Sequence, residues 1–83
     1  MTYTIIWEPE AINAAVRFLQ DDPQGLALLY EAIDGLEEEP RPAQSTPYGG
    51  AYRRLRAGDY RALYTIDDDV VRILVTHVGR NAR

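Results

Sequence analysis

Apolar positions along this chain recur first every second residue, then at helical spacing, then every second residue again, and the changes of period mark its elements. Between Thr2 and Glu8, Tyr3, Ile5 and Trp7 alternate while Ile6 takes the opposite face, which predicts a strand lying against helices. Pro9 opens a helix, because its missing N–H costs nothing in a first turn, and Ile12, Ala15, Val16 and Leu19 follow as its apolar stripe. The segment ends near Gln20. Asp22 then reads as an N-cap with Pro23 at the first helical position, and Leu26, Leu29, Tyr30, Ile33 and Leu36 form a second stripe. The two helices should form an antiparallel pair. Pro40 ends the second, and Pro40 to Gly50, with three prolines and two glycines, predicts a mobile loop crossing back to the sheet.

The next segment, Tyr52 to Tyr64, reads as two strands around a tight Gly58-Asp59 turn. With those two residues in the turn, Ala57 pairs with Tyr60, Arg56 with Arg61 and Arg54 with Leu63. Side chains alternate across a strand, so Arg54, Arg56 and Arg61 share one face, and Arg53, Leu55, Tyr60, Ala62 and Tyr64 the other. A bulge ahead of Ala57 is the alternative register, and it would reshuffle which arginines are neighbours. Asp67-Asp68-Asp69 marks a further turn, and Val70 to Val78 supplies a β-branched strand. The expectation is an α+β fold in a single domain, residues 1–83. It has an N-terminal strand, a two-helix hairpin and a three-stranded antiparallel meander, with both helices on one sheet face and the arginines on the other.

Composition narrows the chemistry. A chain of 83 residues buries only roughly 60–65% of its unfolded surface, so the core is thin. There is no cysteine and one histidine, His77, which excludes disulfides and any thiolate or histidine-built metal centre; no cofactor is implied. No cationic leader precedes an apolar core and no apolar run is long enough for a bilayer, so a cytoplasmic protein without a membrane partner is expected. The net charge of -4 argues against nucleic acid at first sight. The average hides a division. Met1 to Glu39 holds one arginine against nine carboxylates, whereas Pro40 to Arg83 holds eight arginines against four aspartates, so an anion is steered to the second half. Lysine is absent, which leaves guanidinium forks as the only cations, and these match phosphate and carboxylate geometry.

The run Leu55-Arg56-Ala57-Gly58-Asp59-Tyr60-Arg61-Ala62-Leu63-Tyr64, followed on the next strand by Val78-Gly79-Arg80, resembles the RelE/ParE superfamily of bacterial toxins over nearly the whole chain. The resemblance implies a RelE-like microbial ribonuclease-type fold. For the RelE-like branch, the reading taken here, it also implies a ribosome-dependent endoribonuclease that cuts messenger RNA and is silenced by a cognate antitoxin, giving a toxin–antitoxin hetero-oligomer. The ParE-like branch shares the fold and poisons DNA gyrase; a catalytically weak module that mainly binds its antitoxin is a further alternative, and a homodimer seam a third. By resemblance Arg61 holds the scissile phosphate, Arg54 stands on the neighbouring strand, and Arg80 flanks the site, making these three the catalytic candidates. Asn81 stands where many relatives carry an arginine or histidine. The terminal extension that often bears a tyrosine or histidine is expected to be missing after Arg83, which leaves the general acid and base unassigned.

Arg56, Arg83, Tyr52, Tyr48 and Asn81 complete the expected RNA contacts, the tyrosines as stacking platforms for bases. Arg53 and Arg72 read as solvated. His77 has the side chain best suited to proton transfer near neutrality, but it precedes Val78-Gly79 where relatives keep theirs after the glycine, and a strand histidine without chemical duty is the competing reading. The acidic clusters Glu37 to Glu39 and Asp67 to Asp69 lack calcium-loop spacing and read as solvated turns.

Overall fold

The computed structural model describes residues 2–81, arranged as one five-stranded sheet with two helices on one face. In chain order these are β1 (Thr4–Trp7), α1 (Pro9–Asp21), α2 (Pro23–Asp34) and a single 3-10 turn, Gly35–Glu37. Then follow β2 (Ser45–Gly49), β3 (Tyr52–Ala57), β4 (Tyr60–Asp67) and β5 (Arg72–Arg80). The strand order is β1-β5-β4-β3-β2, with β1 parallel to β5 and every other pair antiparallel. No helix among the described residues is long and apolar enough to cross a membrane.

The core forms where the helices meet the sheet: Leu26, Leu29, Ile33 and Leu36 pack with Leu55, Tyr60, Ala62, Tyr64, Ile73 and Val75, all essentially buried. The expected stripe of α2 is therefore inward. That of α1 is not. Ala11, Ala14 and Ala15 are buried with Phe18 packed beside them, while Ile12 and Val16 remain 46% and 45% exposed and Leu19 39%. Of the predicted stripe only Ala15 faces the core. Alanines on the inner face let the helix lie close over β5, and the larger apolar residues are left on the rim and outer side.

A second difference lies in the proline-rich segment, expected as a mobile loop. Its end is strand β2, which pairs Ser45 with Leu55, Thr46 with Arg54 and Pro47 with Arg53. The meander therefore has four strands rather than three. The Tyr64 hydroxyl donates to the Pro40 carbonyl at 2.7 Å and accepts from Ser45 Oγ at 2.5 Å. Arg53 Nε in turn donates to Ser45 Oγ at 2.9 Å and Arg53 Nη2 to the Ser45 carbonyl at 3.1 Å, so this arginine is not solvated but ties β2 to β3. Proline at an edge strand loses little, since one side of its backbone has no partner to satisfy.

Asp22 joins the helical hairpin to the sheet. Asp22 caps α2, its Oδ1 accepting from the Gly25 backbone N–H at 3.1 Å, and its Oδ2 accepts from the Tyr60 hydroxyl at 3.0 Å. Gly25 is required by space rather than by backbone angle: a Cβ there would overlap Asp22 Oδ2 and stand 2.7 Å from Tyr60 Cε2. Gly25→Ala should push Asp22 out of both hydrogen bonds and lower stability by about 1–3 kcal/mol, read as a lower urea midpoint with unchanged slope.

At the opposite end, Asp68 in the β4–β5 turn accepts from the Tyr3 hydroxyl at 2.7 Å and from Arg41 Nη2 at 3.0 Å. The hydrogen bond from Tyr3, and then that from Arg41, hold the Asp68 carboxyl below the usual carboxylate range. A depressed acid stabilises the fold above its unfolded pKa of about 4 and loses that contribution as pH falls through the folded value. The melting gap between the parent protein and Asp68→Asn should accordingly be open at pH 7 and close below about pH 4.

Candidate nucleic-acid interface

The hairpin register matches the sequence expectation pair for pair: Ala57 with Tyr60, Arg56 with Arg61, Leu55 with Ala62, Arg54 with Leu63. Gly58 adopts φ +60°, the left-handed conformation that the two-residue turn needs. Because Leu55, Tyr60, Ala62 and Tyr64 are buried beneath the helices, Arg54, Arg56 and Arg61 emerge together from the helix-free face. Both ion pairs among the described residues, Arg41 with Asp68 and Arg80 with Asp21, lie elsewhere, so these three guanidinium groups carry no carboxylate partner there.

Arg61 is held in a defined pose. Its strand partner across β5 is Gly79, and a Cβ built on that glycine would sit 3.3 Å from both Cζ and Nη2 of Arg61. The guanidinium plane thus rests on bare backbone. Arg61 Nη1 donates to Asn81 Oδ1 at 2.9 Å, which fixes its rotation, and the Asn81 backbone N–H donates to the Asp59 carbonyl at 2.7 Å. Asn81 therefore orients an arginine and keeps only its remaining amide hydrogen-bonding capacity for a ligand. Arg54 lies with Cζ 5.3 Å from the centre of the Tyr48 ring, a cation–π contact, and its Nε is buried without a partner among the described residues. Arg56 is exposed.

Arg80 does not join this cluster. It pairs with Tyr60, a helix-side position, and its Nη1 donates to Asp21 Oδ2 at 2.8 Å while its Cζ lies 5.1 Å from the Phe18 ring centre. The Asp21 hydrogen bond raises its pKa beyond the ordinary guanidinium value. The grouping of Arg80 with Arg54 and Arg61 fails because adjacent strand residues face opposite ways: if Gly79 is under Arg61, residue 80 cannot be. Arg83 lies outside the described residues.

Tyr48 and Tyr52 are both on the open face, and Tyr52 meets the ring of His77 edge to face at 6.5 Å. Tyr48, Arg61, Leu63, His77, Val78 and Gly79 line a depression of ≈ 230 Å³ in that face. His77 is thus beside the arginines, a placement the sequence reading left open. What positions it is a bulge: β4 and β5 pair Leu63 with His77 but Tyr64 with Val75, so Thr76 is an extra residue. The uneven spacing of Ile73, Val75 and Val78, all buried, is the sequence trace of that bulge, masked by the apolar Leu74 between them. No group of three or more histidine, cysteine or carboxylate side chains among the described residues is placed to hold a metal ion.

The arrangement can clamp an anion with two or three planar forks, present aromatic faces to flat ring systems, and leave an imidazole within the same hollow. Comparison with known proteins gives this geometry a family. Residues 5–83 match the model described as the ParE toxin of the type II toxin–antitoxin system parDE. No curated protein matches the chain at a significant level. Among solved structures, the chain is similar to one from the RelBE2 toxin–antitoxin complex of Mycobacterium tuberculosis, with 26% identity and a TM-score of 0.81 over 98% of this chain and 100% of that one. It is also similar to one from the archaeal RelE–RelB complex of Pyrococcus horikoshii, with 25% identity and a TM-score of 0.77 over 100% and 99%. The isolated RelE toxin of E. coli, 18% identical with a TM-score of 0.74 over 98% of this chain and 86% of that one, shares the fold. With its model spanning all but the first four residues, the chain belongs to the ParE toxin family of type II toxin–antitoxin systems, within the RelE/ParE superfamily.

Proposed function

We propose that the toxin is a ribosome-dependent messenger RNA endoribonuclease. The observation that carries this reading is Arg61, laid flat on Gly79 and oriented by Asn81 on a helix-free face, with Arg54 and Arg56 beside it and no carboxylate in ion-pair contact among the described residues. In the reaction, a ribose 2′-oxygen attacks the adjacent 3′-phosphate, a cyclic phosphate forms and a 5′-hydroxyl leaves. Negative charge grows on the phosphoryl oxygens in the transition state, and fixed guanidinium donors stabilise it without reorganisation. Arg61 and Arg54 serve as the phosphate ligands, Arg56 as a backbone contact, and Tyr48 and Tyr52 as stacking surfaces for neighbouring bases. Arg80, committed to Asp21, stays outside this set.

A cognate antitoxin is the second proposed partner, since the two neighbours of highest identity quoted above were solved as toxin–antitoxin complexes. An acidic, amphipathic segment that folds on binding would neutralise the arginine face, in a cytoplasmic hetero-oligomer. The alternative target, DNA gyrase, draws on the ParE description of the matching family model.

Two experiments test the reading. Induction of the toxin should arrest growth and leave new messenger RNA ends within translated codons, and Arg61→Ala should relieve the arrest and slow cleavage roughly 10²–10³-fold, by analogy with loss of one oxyanion donor. Stabilised gyrase–DNA cleavage complexes with intact messenger RNA would transfer the chain to the gyrase reading. Gly79→Val separates site from scaffold: a β-branched side chain suits a strand, so the melting midpoint should hold or rise, while the Cβ and its methyls displace Arg61 and cleavage falls. A variant that cleaves at the parental rate would show that the seat of Arg61 is immaterial.

A further inference from the structure

In-line cleavage needs a group to take the proton of the attacking 2′-hydroxyl, and arginine, protonated to above pH 12 or so, is unsuited to it. We infer that His77, through Nε2, is that base; the inference rests on the endoribonuclease reading above. Three observations converge on it. His77 shares the depression in the open face with Arg61, Tyr48 and Gly79. Its partner across the strands is Leu63, and Arg61 faces Gly79 two residues further along, so imidazole and phosphate ligand are diagonal neighbours on one surface. Such positions lie roughly 7–8 Å apart at the backbone, a gap that a phosphate and its ribose can occupy.

The third observation is a hydrogen-bonding position for the other ring nitrogen, and the tautomer is inferred from it. Thr76, 4% exposed in the bulge, donates its only hydroxyl proton to the Leu63 carbonyl at 3.3 Å. Its Oγ1 also lies 2.9 Å from His77 Nδ1, and in the inferred arrangement the hydroxyl proton stays on the carbonyl and Oγ1 accepts from Nδ1–H. Nδ1 therefore carries the ring proton in the neutral imidazole and Nε2 carries the lone pair. The extra residue that makes the bulge is thus also the group that sets the histidine in its basic form at the exposed end of the ring. Thr76 is a positioning residue in this scheme.

The 2′-oxygen forms its bond to phosphorus as its proton passes to His77 Nε2, the bond from phosphorus to the 5′-oxygen breaks, and that oxygen takes a proton from water. Imidazolium then returns its proton to solvent, and Arg61 holds the phosphoryl oxygens throughout.

His77 is the only histidine of the chain, so its ring nitrogen resonances need no assignment. In the free protein, above the imidazole titration, ring ¹⁵N shifts should show Nδ1 protonated and Nε2 bare; the opposite pattern would overturn the inference whether or not the protein cuts RNA. In single-turnover cleavage on programmed ribosomes, His77→Ala should be slower by roughly 10²–10⁴-fold with unchanged ribosome affinity, and added imidazole should restore part of the rate. His77→Gln, which keeps polar bulk on the strand, should be equally slow. Parental rates in either folded variant would remove His77 from the chemistry and leave the nuclease reading standing, whereas absence of cleavage by the parent protein would remove both.

Discussion

The two-residue period of the β3–β4 hairpin is the constraint from which the rest follows. Leu55, Tyr60, Ala62 and Tyr64 are each no more than 1% exposed, and they alternate with Arg54, Arg56, Arg61 and Leu63. A slip of one residue would carry the three arginines under the helices, at a cost of several kcal/mol for each desolvated ion, and would expose the four core side chains. Fully burying a large apolar side chain contributes only about 1.5–3 kcal/mol, so the penalty against charge burial reinforces a register the core already favours. The Gly58-Asp59 turn closes the hairpin at a length compatible with both. The open cationic face is thus a consequence of how the core is filled.

This explains which parts of the structure were legible in the sequence. The hairpin could be counted outward from its turn, because parity there is enforced on both faces. The inner face of α1 could not. Its alanines lose to Ile12, Val16 and Leu19 in any tally of hydrophobicity, and only the close approach of the helix to β5 reveals that small residues belong inside. Strand β2 was hidden for a different reason. Pro42, Pro47, Gly49 and Gly50 oppose a strand locally, and β2 forms because Ser45, Arg53, Tyr64 and the Pro40 carbonyl bind one another across distant parts of the chain. Tertiary contacts of that kind leave no local pattern.

In the site, the legible part ended at the hairpin. Arg54, Arg56 and Arg61 were grouped by register, but Arg80 was grouped by resemblance to a motif, and the strand's alternation places it with Asp21 and Phe18 instead. Two departures of β5 from a regular strand complete the hollow. At Gly79 a missing Cβ leaves room for the Arg61 guanidinium, and at Thr76 an added residue lets Ile73, Val75 and Val78 all face the core while His77 faces out. Both weaken the strand considered alone, one by lost packing and conformational entropy and the other by an interrupted ladder. They fall within four residues of one strand, Gly79 directly opposite Arg61 and Thr76 beside His77, so both irregularities border the same hollow.

The acidic average of the chain does not oppose an anionic ligand once distance is considered. The negative half includes both helices, which cover the sheet face opposite the arginines, whereas Arg54, Arg56 and Arg61 meet a ligand by contact. A packed layer is about 10 Å thick, and the Debye length at physiological salt is about 8 Å, so most of the repulsion from the helix layer is screened at the open face. A phosphate touching a guanidinium fork is not screened in that way, because no ion fits between them. Segregating charge between two layers therefore lets a net negative protein present a locally cationic surface. Among the described residues it also leaves Arg54, Arg56 and Arg61 outside both ion pairs, which join Arg41 to Asp68 and Arg80 to Asp21.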